Sequence, residues 1–155
     1  MSRLAVIGLD GGTLNRDAAE LLEGATLVAG GKRHLAAFAV EPERSVAFEG
    51  DLSGALSRIE AENGPVVVLA SGDPGFFGIV RMLARRFGSE ALRVVPAVSS
   101  VALAFARVGI SWDDAVTVSA HGREPRRAVN VCRARPKVAV LTLSLIHISE
   151  PTRPY

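Results

Sequence analysis

Short, continuously apolar runs alternate with amphipathic stretches along this chain, and that alternation sets the class of fold. Leu4-Ala5-Val6-Ile7-Gly8-Leu9 reads as a strand buried on both faces, as in the middle of a parallel sheet. It runs into a loop, Asp10-Gly11-Gly12-Thr13. Asn15 then predicts the cap of a helix through Glu23, with Ala18, Ala19, Leu21 and Leu22 inward and Gly24 as its stop. Residues 26–29 predict a second strand, followed by Gly30-Gly31 and a helix that includes His34, Leu35 and Phe38 and ends before Pro42. Residues 45–48 predict a third strand. Asp51 is expected to cap a helix with Leu52, Ala55, Leu56 and Ile59 at i, i+3, i+4 and i+7.

The stretch 66–78 carries the strongest signal. Val66-Val67-Val68-Leu69 is a buried-strand run, and it breaks abruptly into Ala70-Ser71-Gly72-Asp73-Pro74-Gly75-Phe76-Phe77-Gly78. Pro74 followed by Gly75 predicts a type II turn, with Gly75 supplying the positive φ. Ile79, Val80, Leu83, Ala84 and Phe87 then recur at helical spacing. Residues 92–96 predict a fifth strand, and Ser99-Ser100 head a helix through Val108. Strands alternating with helices predict a doubly wound α/β domain with a mainly parallel sheet, whose ligands bind beyond the strands' carboxyl ends.

The pattern changes near Gly109. Ser111-Trp112-Asp113-Asp114 reads as a linker, and residues 116–119 and 138–141 as two further strands. Residues 126–135 form a basic segment between them, helical or loop. The expected organisation is an N-terminal α/β domain over 1–112, the truncated start of a second α/β domain over 113–142, and a tail over 143–155. Within that tail, residues 143–153 resemble a translated sequencing adapter. They are read as an artefact and left out of the fold reasoning.

Composition narrows the classes. Of 155 residues, 48% are hydrophobic and 22% charged, enough apolar material for a packed core. No uninterrupted apolar run approaches the roughly 18 residues of a membrane helix, and no signal-peptide pattern opens the chain. Cys132 is the single cysteine, so no internal disulfide forms, and a reducing, cytoplasmic setting is expected. The three histidines are scattered, without metal-ligand spacing. Net charge is +2, with Lys32 and Lys137 the only lysines. Arginine suits anionic ligands, although a GC-rich coding bias also enriches it over lysine, and residues 123–137 lack the interleaved aromatics of a nucleic-acid binder.

Nucleotide motifs fail. Gly8-Leu9-Asp10-Gly11-Gly12-Thr13 places Asp10 where a dinucleotide fingerprint needs its second glycine. Around Gly31-Lys32 a phosphate loop would need Gly where Thr26 stands and Ser or Thr where Arg33 stands. No G-x-S-x-G elbow occurs.

Three segments together resemble the tetrapyrrole (corrin/porphyrin) methylases: the strand and glycine loop 6–12, the run 69–78, and Val95-Pro96-Ala97-Val98-Ser99-Ser100-Val101. Within that family, Gly30-Gly31-Lys32-Arg33-His34-Leu35 and Ser119-Ala120-His121-Gly122-Arg123 are similar to the precorrin-6Y and cobalt-precorrin-7 C5-methyltransferases of cobalamin synthesis. The resemblance covers about residues 3–141.

It implies two α/β domains, S-adenosyl-L-methionine as methyl donor in the cleft between them, a precorrin or cobalt-precorrin substrate, and a homodimer. It also implies a separate or fused partner for C15 methylation and decarboxylation. Carried over by motif, Leu9, Asp73, Phe76, Ser100 and Val101 are expected against the donor. Arg33, Arg123, Arg126 and Arg127 are candidates to pair with the substrate's carboxylates, and His34 and His121 to contact the substrate. Each has a structural alternative. Asp73 and Ser100 are also suited to capping helices, the histidines to polar loops, the arginines to a solvated face, and Phe76 and Phe77 to packing at the sheet edge. Two readings of the whole stay open: an active C5-methyltransferase, or a catalytically incomplete fragment of one with a partial donor site.

Overall fold

The computed structural model describes residues 3–50, 52–120 and 125–142. The tail 143–155, Asp51, His121 and Arg123 lie outside the described residues. The chain divides into two units, Met1–Ser100 and Val101–Tyr155.

The first unit is built on five parallel strands: β1 (Leu4–Leu9), β2 (Leu27–Gly30), β3 (Ser45–Ala47), β4 (Val66–Ser71) and β5 (Leu92–Val95). Their order across the sheet is β3-β2-β4-β1-β5. β1 pairs with β4 from Leu4↔Val66 to Leu9↔Ser71, and with β5 from Leu4↔Leu92 to Ile7↔Val95. Both apolar runs sit in the middle of the sheet, which is why they need no polar face.

The period-two alternation of a strand splits these side chains between two layers. Ala5, Ile7, Val28, Val67 and Leu69 face a layer that takes in Leu21, Leu22, Leu35 and Phe38. Those come from α1 (Arg16–Glu23) and the segment of α2 (Lys32–Ala37). Leu4, Val6, Leu27, Ala29, Val66 and Val68 face the opposite layer, with Leu56, Ile59, Leu83 and Phe87. Those belong to α3 (Ser53–Ala61) and α4 (Val80–Phe87).

The consequence for the site is topological. From β1 the chain leaves to one face, through α1, toward β2; from β4 it leaves to the other face, through α4, toward β5. A crevice therefore opens between the carboxyl ends of β1 and β4, the switch point at which open α/β sheets hold ligands.

Several local expectations change. Asn15 caps α1 as expected, its Oδ1 accepting from the Ala18 amide at 2.8 Å. Ala19, expected inward, is exposed. Gly24 ends α1 with φ −76°, without the left-handed turn that makes glycine necessary there. α3 starts after Leu52, which offers no side-chain cap.

The second unit contains most of α5 (Ser100–Val108), then β6 (Val116–Ser119), α6 (Arg126–Ala134) and β7 (Val138–Leu141). The basic segment is thus a helix. β6 and β7 pair in parallel from Val116↔Val138 to Ser119↔Leu141. Phe105 stacks on Trp112 with ring centres 6.2 Å apart, in the stretch expected to be a linker. The structural division falls before α5, which the sequence pattern groups with the first domain.

Candidate functional site

Three loops meet at the carboxyl edge of β1, β4 and β5. The first follows β1, where Asp10 Oδ1 accepts from the Gly12 amide at 2.9 Å and Gly11 takes φ +90°. The second follows β4. Gly72 adopts φ +61° and donates its N–H to the Leu9 carbonyl at 2.6 Å, tying this loop to the first. The third is Pro96-Ala97-Val98 after β5.

Gly8 shows how tightly they converge. A β-carbon there would lie 2.4 Å from the Gly72 carbonyl oxygen, 2.7 Å from the Ala97 nitrogen and 2.9 Å from Pro74 Cδ. Two of these three are backbone atoms, so no side chain can rotate to make room.

The loop 72–78 is stiffened from within. Asp73 Oδ1 accepts from the Gly75 amide at 2.8 Å, and the Asp73 carbonyl from the Phe76 amide at 3.1 Å. Asp73 therefore closes its own turn, the Asx arrangement, and does not cap α4, whose N-terminal flank is Ile79 with no side-chain cap. Gly75 does not take the positive φ of a type II turn; Gly72 and Phe77 take it instead, Phe77 at +54°. Pro74 is fully buried, and its carbonyl would stand 2.3 Å from a β-carbon on Gly78. Phe76 and Phe77 meet edge to face with ring centres 5.1 Å apart.

Beside the first and third loops lies a cavity of about 400 Å³, walled by Gly8, Leu9, Asp10, Gly12, Thr13 and Leu14, by the cap Asn15 and Ala18 of α1, and by residues 95–98. Its size is within the usual range for a small-molecule site. Asp10 is the one ionisable residue of that lining. An S-adenosylmethionine-sized ligand fits this chemistry: Leu9, Val95 and Pro96 offer apolar wall for a base, and Asp10 and Thr13 are polar residues of the same lining.

A second cluster lies one strand away, above β2 and β4. Arg33 Nη2 donates to Ser71 Oγ at 2.6 Å, Arg33 Nε donates to His34 Nε2 at 3.2 Å, and Ser71 Oγ lies 3.2 Å from His34 Nε2. His34 Nδ1 is buried without a partner among the described residues. Burial, and then the Arg33 charge, hold the His34 pKa below its ordinary 6.5. The ring is therefore neutral at physiological pH.

Of the residues singled out from the sequence, Leu9 lines the cavity, and Asp73 and Phe76 lie in the loop bonded to it. The Ser100 amide stands 3.7 Å from where a β-carbon on Gly72 would be, at the start of α5. Val101 is buried and belongs to the second unit. Arg33 and His34 are together, on the neighbouring strand ends. Sequence reasoning missed Ser71, whose place directly after a buried apolar run was the available signal; the structure puts it in register with Leu9. It also missed Asp10, Asn15 and the wall 95–98 as lining.

Comparison with known proteins gives a consistent result. Residues 5–149 match the family described as Tetrapyrrole (Corrin/Porphyrin) Methylases. The chain is 44% identical over 147 residues to a Sinorhizobium protein named precorrin-6Y C(5,15)-methyltransferase (decarboxylating), covering 91% of this chain and 35% of that one. It is 41% identical over 107 residues to the cobalt-precorrin-7 C(5)-methyltransferase of Salmonella typhimurium, covering 68% of this chain and 53% of that one. The chain thus spans between about a third and about a half of these relatives' lengths.

Among solved structures, the precorrin-6Y methylase of Archaeoglobus fulgidus superposes with a TM-score of 0.63 at 26% identity, over 81% of this chain and 68% of that one. The methyltransferase CobJ superposes at 0.66 and 21% identity over 97% of this chain and 71% of that one, a likeness of fold. With a parallel α/β sheet, converging loops at its switch point and a family match across nearly its whole length, this chain belongs to the tetrapyrrole (corrin/porphyrin) methylases.

Proposed function

We propose that this chain provides the methyl-donor side of an S-adenosylmethionine-dependent C-methyltransferase acting on C5 of a precorrin or cobalt-precorrin in cobalamin synthesis. The observation that carries the reading is the packing of Gly8 against Gly72, Ala97 and Pro74, which draws three strand-end loops together beside a cavity that the first and third of them line. The names of the relatives supply the substrate class.

In this reading Leu9, Asp73, Phe76, Ser100 and Val101 hold the donor, and Arg33, His34, His121 and Arg123 face the macrocycle. Bound, the donor supplies an electrophilic methyl group on a sulfonium that is already an excellent leaving group. The chain's residues then have one main task, to hold donor and ring carbon in line. Such alignment is worth up to about 7–11 kcal/mol in favourable systems. Arg33 suits the many carboxylates of a corrinoid precursor, as an arginine fork matches a carboxylate. The working form is a homodimer, with C15 methylation and decarboxylation left to a partner or fused domain.

Calorimetry with S-adenosylmethionine, followed by mass spectrometry of a precorrin substrate incubated with chain and donor, tests this. Donor binding with a gain of one methyl group supports the full reading. Donor binding without transfer supports the catalytically incomplete alternative. No donor binding overturns the full reading and leaves the catalytically incomplete alternative, whose donor site is partial.

A further inference from the structure

We infer that Ser71 is a positioning residue which, with His34, aims the Arg33 guanidinium at one peripheral carboxylate of the acceptor macrocycle. The inference rests on the tetrapyrrole reading above and deepens it, because that substrate class presents carboxylates around a flat ring.

The argument starts from the sheet. β2 and β4 are neighbours, with Gly30 opposite Leu69. Arg33 lies just beyond the end of β2 and Ser71 ends β4, so the two side chains meet above adjacent strand ends. Ser71 is also the register partner of Leu9, which lines the donor cavity. The arginine therefore stands on the same carboxyl edge as the donor cavity.

The hydrogen bonds are ordered. A guanidinium has five N–H donors. One from Nη2 goes to Ser71 Oγ at 2.6 Å and the one on Nε goes to His34 Nε2 at 3.2 Å. Both lie on one edge of the fork. The Nη1 donors and the outer Nη2 donor are left, and a terminal Nη1/Nη2 pair matches the two oxygens of a carboxylate. Because His34 Nε2 accepts, it adds no second positive charge beside Arg33.

The charge is also uncompensated. Lys32, next in sequence, pairs with Glu49 at 2.8 Å. Arg33 has no carboxylate partner among the described residues and is held only by two neutral groups. An exposed arginine ordered on one edge and unneutralised on the other is prepared for an external anion, with less rotamer freedom to lose on binding.

Uroporphyrin I, a tetrapyrrole with eight carboxylates, and its octamethyl ester are the probes, titrated by absorbance into the whole chain. The wild type is expected to bind the acid at least about tenfold more tightly than the ester, since charge-assisted hydrogen bonds are worth that much. Arg33→Gln should weaken binding of the acid by about tenfold, and Arg33→Lys should not restore it, because a lysine lacks the fork. Ser71→Ala should weaken it several-fold while Ser71→Thr, which keeps the hydroxyl, retains it. Affinity for S-adenosylhomocysteine, measured in parallel, should stay constant across the series. A wild type that does not prefer the acid, or Arg33→Gln and Ser71→Ala variants that bind it like wild type, would overturn the inference. Failure of the wild type to bind S-adenosylhomocysteine would instead count against the donor reading.

Discussion

A β-carbon on Gly8 would stand 2.4 Å from the carbonyl oxygen of Gly72. Gly8 lies near the end of β1 and Gly72 in the loop after β4, and the missing side chain lets the backbones touch. The Gly72 N–H reaches back to the Leu9 carbonyl across the same gap. Close approach of this kind is one of the few reasons a strand end requires glycine.

Gly8→Ala is therefore expected to destabilise the fold by about 1–3 kcal/mol, the usual range for overpacking. Relief means spreading the loops after β1, β4 and β5, so donor affinity should fall with stability. Urea unfolding and calorimetry on the same variant check both. A wild-type midpoint would mean that the loops adjust freely.

Asp73 closes its own turn and is proposed to meet the donor, and substitution separates the two. Its carboxylate closes the turn through the Gly75 amide at 2.8 Å. Asp73→Asn keeps an oxygen acceptor and should leave the unfolding midpoint almost unchanged, whereas Asp73→Ala should lose about 1 kcal/mol with that hydrogen bond. If the negative charge also meets the donor's ammonium group, both variants lose donor affinity. Wild-type donor affinity in Asp73→Asn would assign the residue to the turn alone.

Two large apolar residues close to each other in sequence should differ sharply in what their loss costs. Leu83 is 0% exposed in the layer formed with α4, so Leu83→Ala should cost about 2–5 kcal/mol. Phe77 is 48% exposed and held at φ +54°, a conformation that strains a side chain by about 1–3 kcal/mol. Phe77→Gly relieves that strain while losing an edge-to-face contact with Phe76 worth about 0.5–1.5 kcal/mol. Thermal unfolding should show a change for Phe77→Gly of less than about 1 kcal/mol.

His34 gives the fold a pH dependence of definite sign. Its folded pKa is lowered, chiefly by burial and next by Arg33, so the unfolded chain takes up the proton more readily. The contribution to stability is fully present above the ordinary value of 6.5 and is lost as pH falls through the lowered folded value. Protonation would also turn Nε2 from acceptor to donor and break the bond from Arg33. Urea midpoints compared at about pH 7.5 and about pH 5.5 should fall further for the wild type than for His34→Gln. Equal falls in both would remove His34 as the source.

Sequence alone determined the strands at residues 4–9, 116–119 and 138–141, the core 66–69 of β4, the capped start of α1 at Asn15, and the family resemblance in three short segments. These are legible because they depend on neighbours: a continuous apolar run, a side chain three residues from the amide it caps, a glycine–proline cluster. Tertiary structure alone decided that β4 lies between β2 and β1, and with it that Ser71 faces Arg33 and that Gly8 lies against Gly72. It also moved the positive φ from Gly75 to Gly72 and Phe77, and replaced the capping alternative for Asp73 with a turn closure. The physical reason is common to all of these. Strand order and loop strain are set by packing between segments far apart in the chain, and a local pattern of apolar and polar residues carries no term for that packing.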